Sequence, residues 1–482
     1  MNTALLILLI LQLLSAGVVK LSGNGKAWTV AFISSLLSLA ITVIMLIRLP
    51  LDNAFHYTTS FEWVKSLGIT FSTGIDGLGG LMLLLTNGLI PLILLSACNR
   101  ETEKASSYFS LIILMQFALN GVFTARDGFV FYVFWELALI PIWLICWMWG
   151  DKNSTRITLR FFIYTLTGSL FMLAAIIFMG IQSNDYSFSL DAFYKLKLSD
   201  SQQAFVFFCM MAAFAIKIPV FPFHSWQPDT YTDSPTQGTM LLSGIMLKMG
   251  LYGIIRWLIP VVPGAVDEYG HYIITLSVIG IVYGSLMALA QTDFKRMIAY
   301  SSIAHVGLIT AGLFTLKAEA MQGGIVQMMA HGINVVGLFF IADILMHRMK
   351  TRNMKELGGL AHTQRWFSVF FLIILLGSVA LPLTNGFIGE FMLLTGIYQY
   401  GVWTTVFAGL TVILGAVYML RAYKAIMLGE KHGRNEQFQP LMKNETAVLV
   451  IISIIIFITG IYPSFILKFS GSIAGNIHNL IH

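Results

Sequence analysis

The sequence predicts an all-α polytopic membrane protein with about 14 transmembrane helices, two of them discontinuous. Three observations predict it. First, 57% of the 482 residues are hydrophobic and only 11% are charged, with a mean hydropathy of +0.79. A soluble domain carries about 25% charged residues, so one water-soluble core cannot hide this much apolar surface. Second, apolar runs of roughly 18 residues or more recur along the chain, each long enough to cross about 30 Å of hydrocarbon as helix. Third, the basic residues are sided. With the N-terminus outside, 19 of the 29 Lys and Arg fall on the cytoplasmic side and 8 on the other, leaving Lys217 and Lys248 inside spans. That bias predicts both termini outside. The net charge of +6 then reflects topology, and no basic stripe suggests nucleic acid.

The spans follow in order. Residues 3–20 open with MNTALLILLI, which lacks the basic region of a signal peptide and reads as a retained first span. Span 27–47 follows, and Asp76 marks the start of 77–98. Spans 107–125, 128–149 and 157–182 are continuous apolar runs. Span 204–226 is interrupted by Pro219 and Pro222, just after Lys217. Proline removes a backbone donor and clashes with the preceding turn, so the break frees carbonyls that need partners. Ser234 and Pro235 fit the start of 235–259, with Asp229 and Asp233 as caps. Asp293, Lys295 and Arg296 mark a cytoplasmic end between 271–291 and 297–316. Span 320–346 precedes a second interrupted run, 366–398, where LPLTNGFIGEF places Pro382, Asn385 and Gly386 just before Glu390. Spans 402–428 and 446–468 complete the set. A broken helix in each half points to an inverted-repeat transporter with its ion site at the breaks.

Four charged residues fall near the centres of their spans: Glu136, Lys217, Lys248 and Glu390. Glu136 lies about 12 Å into its helix. A charge at mid-membrane costs about 2.5–3.5 kcal/mol on insertion scales, so such groups are either static ion pairs that fix packing or parts of an ion path. The second reading predicts a proton path. Burial destabilises an ammonium and a nearby carboxylate restores it. A lysine held between those effects loads and releases a proton as its partner moves. His224, His305 and His331 lie within or beside spans and supply intermediate sites, since imidazole changes charge near neutral pH. His56, His271, His347, His362, His432, His478 and His482 read as solvated. Cys98, Cys146 and Cys209 are scattered, with no metal spacing and no disulfide or iron–sulfur pattern. The glycines of STGIDGLGG match no dinucleotide fingerprint, and there is no P-loop.

The stretches VFWELALIPIW, AFAIKIPVFPFHSWQPDTYTDSPTQGTMLLSGIMLKMGLYG, DFKRMIAYSSIAHVG and MMAHGINVVGLFF closely resemble the antiporter-like subunits of respiratory NADH–quinone oxidoreductase. The resemblance covers nearly the whole chain. Glu390, where related branches generally have lysine, is similar to the M branch, whose mitochondrial counterpart is chain 4. No long amphipathic lateral helix is expected after the last span.

The resemblance implies two inverted five-helix bundles formed by spans 4–8 and 9–13. The chain then divides into residues 1–106, a first half-channel at 107–259, a second at 271–428, and a last helix and tail at 446–482. It implies that Glu136 and Lys217 form a modulating ion pair, that Lys248 is a connecting site and that Glu390 is the terminal proton site. His224, His305 and His331 would line the axis between them. NADH, FMN, iron–sulfur clusters and quinone are expected in partner subunits and none in this chain. The implied partners are the other membrane subunits, above all neighbouring antiporter-like ones, and the lipid of a bacterial inner membrane with both termini periplasmic. A subunit of a multisubunit cation/proton antiporter, or of a hydrogenase- or ferredoxin-linked complex, shares the same features.

Overall fold

The computed structural model describes residues 3–481 except 53, 152–153, 184–185 and 431–437, with side chains described through 475. Lys152, Lys431, Arg434, His432 and His482 lie outside the described residues, as does the side chain of His478.

The chain folds almost entirely into helices: α1 (Ala4–Leu21), α2 (Asn24–Ile47), α3 (Gly77–Ser96), α4 (Ala105–Thr124), α5 (Gly128–Trp149), α6 (Ser154–Gln182), the short α7 (Leu190–Phe193), α8 (Asp200–Lys217), α9 (Gln227–Asp233), α10 (Thr236–Leu258), α11 (Pro263–Ala290), α12 (Phe294–Phe314), α13 (Ala318–Met349), α14 (Arg365–Ser378), α15 (Asn385–Tyr400), α16 (Val402–Met427), α17 (Lys443–Ile461) and α18 (Ser464–Ile481). Among the described residues, twelve helices are long and apolar enough to cross a membrane. The other two expected spans are the interrupted ones. One ends as helix at Lys217, ahead of Pro219 and Pro222, and the other splits into α14 and α15 around residues 379–384. The expected set of spans is therefore present, with both breaks where proline and Asn-Gly place them.

Two compact units form. One comprises Met1–Pro219, Ile245–Tyr272 and Lys468–His482, the other Val220–Gly244 and Ile273–Leu467. The first of their boundaries along the chain falls at the first break, after Pro219. Helices α10, α12 and α13 are buried throughout their apolar windows, whereas α1, α2, α6, α11, α16 and α17 keep large exposed apolar faces. The buried helices are the ones that carry Lys248, His305 and His331. In lipid, polar side chains turn toward protein and apolar ones toward hydrocarbon.

Several features depart from the sequence reading. Residues 56–75, unassigned above, form an antiparallel hairpin of β1 (His56–Val64) and β2 (Ile69–Ile75). Its β-branched and aromatic residues favour strands, and Gly68 near the turn adopts φ +67°. The last long span ends at Ile461, just before Pro463, rather than at 468. An 18-residue amphipathic helix, α18, follows it and buries Ile466, Phe469, Ser470, Ile473 and Ala474, the spacing of one helical face. Asp229 and Asp233 do not cap α10. Asp229 pairs with Arg296 at 3.0 Å, Asp233 ends α9, and Pro235 takes the cap position. Ser234 donates to the Thr230 carbonyl instead of capping. Asp76 caps α3 through the Gly79 N–H and also forms a buried ion pair with Arg256. Asp293 caps α12, as a span-end residue should, while Lys295 beside it is buried and donates to the Ser234 carbonyl at 2.6 Å.

Candidate functional site: buried charges in each unit

In the first unit, α5 and α8 hold the carboxylate and the ammonium. Asp127 starts α5 by accepting from the Phe129 and Val130 N–H groups, and Glu136 lies two turns further on, half-buried. Ser169 of α6 donates its hydroxyl to the Leu166 carbonyl of its own helix. Lys217 is the last residue of α8, because the following prolines cannot continue the helix. It sits at the negative end of the helix dipole, which favours a cation. Its side chain is 2% exposed, and Nζ has no hydrogen-bond partner among the described residues. Nζ instead stands 5.2 Å from the centre of the Trp135 ring. Among the described residues no salt bridge joins Lys217 Nζ to Glu136, whose Oε1 also has no hydrogen-bond partner.

Lys248, on α10, has no exposed surface at all. It lies between two π-helical turns, Leu242–Met246 and Ile254–Leu258. Such turns concentrate at functional sites, because they shift the register of one helical face against the next. Gly250, one turn past 246, lets α10 approach the end of α8. A Cβ there would lie 2.5 Å from Ile218 and 3.2 Å from the Phe214 carbonyl. Thus Lys248 and Lys217 belong to helices packed tightly on each other.

In the second unit, α12, α13 and α15 surround Glu390, which is 2% exposed. Its Oε1 lies 3.0 Å from His305 Nδ1 and accepts from Gln327 Nε2 at 3.1 Å. Its Oε2 and the His305 Nε2 have no partners among the described residues. His331 is 3.1 Å from the Ser302 hydroxyl, and its ring centre is 6.0 Å from that of His305. Ser302, His305, Gln327, His331, Asn334 and Ser378 line one narrow polar cavity. Gly389 permits this geometry, since a Cβ would come within 2.9 Å of the Gln327 backbone. His224 stands apart from these bonds, packed between the Phe221 and Tyr283 rings.

The sequence reading missed Gln327, Ser302 and Asn334. The signal was there for α13: Gln327, His331 and Asn334 fall at i, i+4 and i+7 of an otherwise apolar helix. Tyr418, which donates to Ser301 at 2.9 Å, and Asn385, which accepts from Asn334 at 3.0 Å, gave no local pattern.

A family model described as NADH:quinone oxidoreductase/Mrp antiporter, transmembrane, matches residues 125–415, the stretch that carries Glu136, Lys217, Lys248, Glu390 and the three histidines. The chain belongs to this family. Within it, the chain is 40% identical over 445 residues to NADH-quinone oxidoreductase subunit M of Rickettsia conorii, covering 91% of this chain and 90% of that one. It is 34% identical over 465 residues to NADH-ubiquinone oxidoreductase chain 4 of Chondrus crispus, covering 96% and 93%. A chain of respiratory complex I from Thermus thermophilus, solved with bound NADH, superposes with a TM-score of 0.92 at 27% identity, covering 99% and 100%. These relatives cover nine-tenths or more of this chain, so the M-branch resemblance extends well beyond the local motifs.

Proposed function

We propose that this chain is a proton-translocating membrane subunit of an NADH-quinone oxidoreductase. Electron transfer from NADH to quinone takes place in partner subunits that carry the flavin and iron–sulfur clusters, and this chain moves protons in response. The observation that carries the reading is the pairing of unsatisfied groups with charged ones. Lys217 Nζ and Glu390 Oε2 are both buried, and neither has a hydrogen-bond partner among the described residues. A static strut would have both ends tied, because an unmade buried hydrogen bond costs about 1–3 kcal/mol. An atom that must gain or lose a proton needs a free position.

The chemistry follows from the charges. With Glu136 near, the Lys217 ammonium is stabilised. When a change in the neighbouring subunit draws that carboxylate away, the ammonium loses its counter-charge and gives up a proton toward Lys248. In the other unit, Glu390 takes a proton on its free oxygen, with Gln327 and His305 holding the opposite oxygen in place, and then releases it outward. His305 and His331 supply the imidazoles and Ser302 a hydroxyl through which a proton reaches the carboxylate. His224 is a less direct member of the set. The Lys and Arg bias supports termini on the periplasmic side of a bacterial inner membrane.

The test is to purify the assembled complex, reconstitute it in vesicles, and compare NADH-driven quinone reduction with proton movement for Lys217→Ala and Glu390→Ala. Both variants are expected to lose pumping. Full turnover coupled to normal pumping would reject the assignment.

A further inference from the structure

Outside both charged sites, α1 to α4 enclose a cluster of neutral polar side chains. Gln12, Thr42, Asn87, Gln116 and Asn120 are each at most 1% exposed. Asn87 Oδ1 accepts from Gln12 Nε2 at 3.3 Å, from Gln116 Nε2 at 2.8 Å and from Asn120 Nδ2 at 2.8 Å. Asn87 Nδ2 donates to Thr42 Oγ1 at 2.7 Å. Thr42 in turn donates its only hydroxyl hydrogen to the Ser38 carbonyl at 2.8 Å. Toward Asn87 it can therefore only accept.

This chain of bonds fixes every amide. Asn87 must show its NH₂ to Thr42 and its oxygen to the other three. Gln12, Gln116 and Asn120 must each show NH₂ to that oxygen, because reversing one would set oxygen against oxygen. Their own oxygens, Gln12 Oε1, Gln116 Oε1 and Asn120 Oδ1, then face away, and none has a donor among the described residues. No acidic or basic side chain is among the buried residues of these four helices. A cation would find only neutral oxygens at mid-membrane depth, a poor exchange for its hydration shell. Water supplies what the three oxygens lack.

We propose that α1–α4 hold a buried hydration site of at least two water molecules, since one water donates only two hydrogens and three oxygens need them. Asn87 sets the orientation, and the three outward amide oxygens bind the waters. None of these side chains takes a proton near neutral pH, so the site joins helices rather than relaying charge. Apolar packing between helices gains nothing from the hydrophobic effect in lipid, and polar bridges specify the contact. The waters join α1 to α4, while Asn87 and Thr42 tie α3 and α2 to the same cluster by direct bonds.

The test is a density map of the assembled complex at a resolution that shows ordered water. The expected result is two or more peaks at about 2.6–3.2 Å from the three oxygens. A dry cluster would overturn the proposal. So would a single peak about 2.4 Å from all three, which is cation geometry. As a second measurement, Gln116→Met keeps the volume and removes both polar ends. The proposal expects a lower melting temperature for the complex and loss of water density beside Asn120. An unchanged melting temperature with every peak in place would contradict it.

Discussion

His305 Nδ1 lies 3.0 Å from Glu390 Oε1, between two helices that meet at the middle of the second unit. One carboxylate oxygen is thereby held while the other is left open. Glu390→Gln keeps the shape but cannot ionise. Vesicles containing this variant should lose proton pumping while the subunit still assembles, as judged by recovery of the intact complex.

Gln327 shares the held oxygen with His305. Its role is to position Glu390. Gln327→Leu removes one donor and leaves the carboxylate with His305 alone, a loss of about 1–3 kcal/mol in local stability. Pumping should fall severalfold, and Gln327→Asn should recover little, because the shorter side chain does not reach. Equal pumping by Gln327→Leu and the parent would remove Gln327 from the site.

Lys217 offers a separation of stability from function. Its Nζ is buried without a hydrogen bond among the described residues, so its charge strains the fold. Lys217→Met, of similar length and apolar, should hold or raise the melting temperature of the complex while abolishing pumping. A large drop in melting temperature would mean that the lysine is a structural strut.

Gly250 lies against Ile218 and the Phe214 carbonyl. Gly250→Val forces α10 away from α8. Overpacking of this kind costs about 1–3 kcal/mol, so thermal unfolding of the complex should move several degrees lower.

Asp127 gives a pH test outside the spans. Burial pushes its carboxyl up to about 6, opposed by the Val130 and Phe129 N–H groups. The folded value lies above the unfolded one, so its contribution to stability is greatest below the unfolded value near 3.8 and is lost as pH rises through about 6. Asp127→Asn keeps the cap without the charge. It should melt higher than the parent at pH 8, with the gap closing at pH 5. A gap that is the same at both values would show that Asp127 does not titrate there.

Much of this was legible in the sequence. Fourteen apolar runs and two proline or Asn-Gly breaks gave the spans, and the four central charges stood out because lipid makes them costly. What was hidden depended on helix rotation and partner choice. Glu390 in its span is visible, but its bonds to His305 and Gln327 join residues 85 and 63 positions away. The π turns around Lys248 leave no mark in composition. The ring packing of His224 against Phe221 and Tyr283 was likewise not legible, because it depends on the local backbone around the break.

Infrared difference spectroscopy of the reconstituted complex during NADH-driven turnover addresses proton exchange at Glu390 directly. A carboxyl C=O band that rises and falls with turnover in the parent, and is missing in Glu390→Gln, is the predicted result. A Glu390 that keeps one ionisation state through every turnover, with pumping intact, would contradict it.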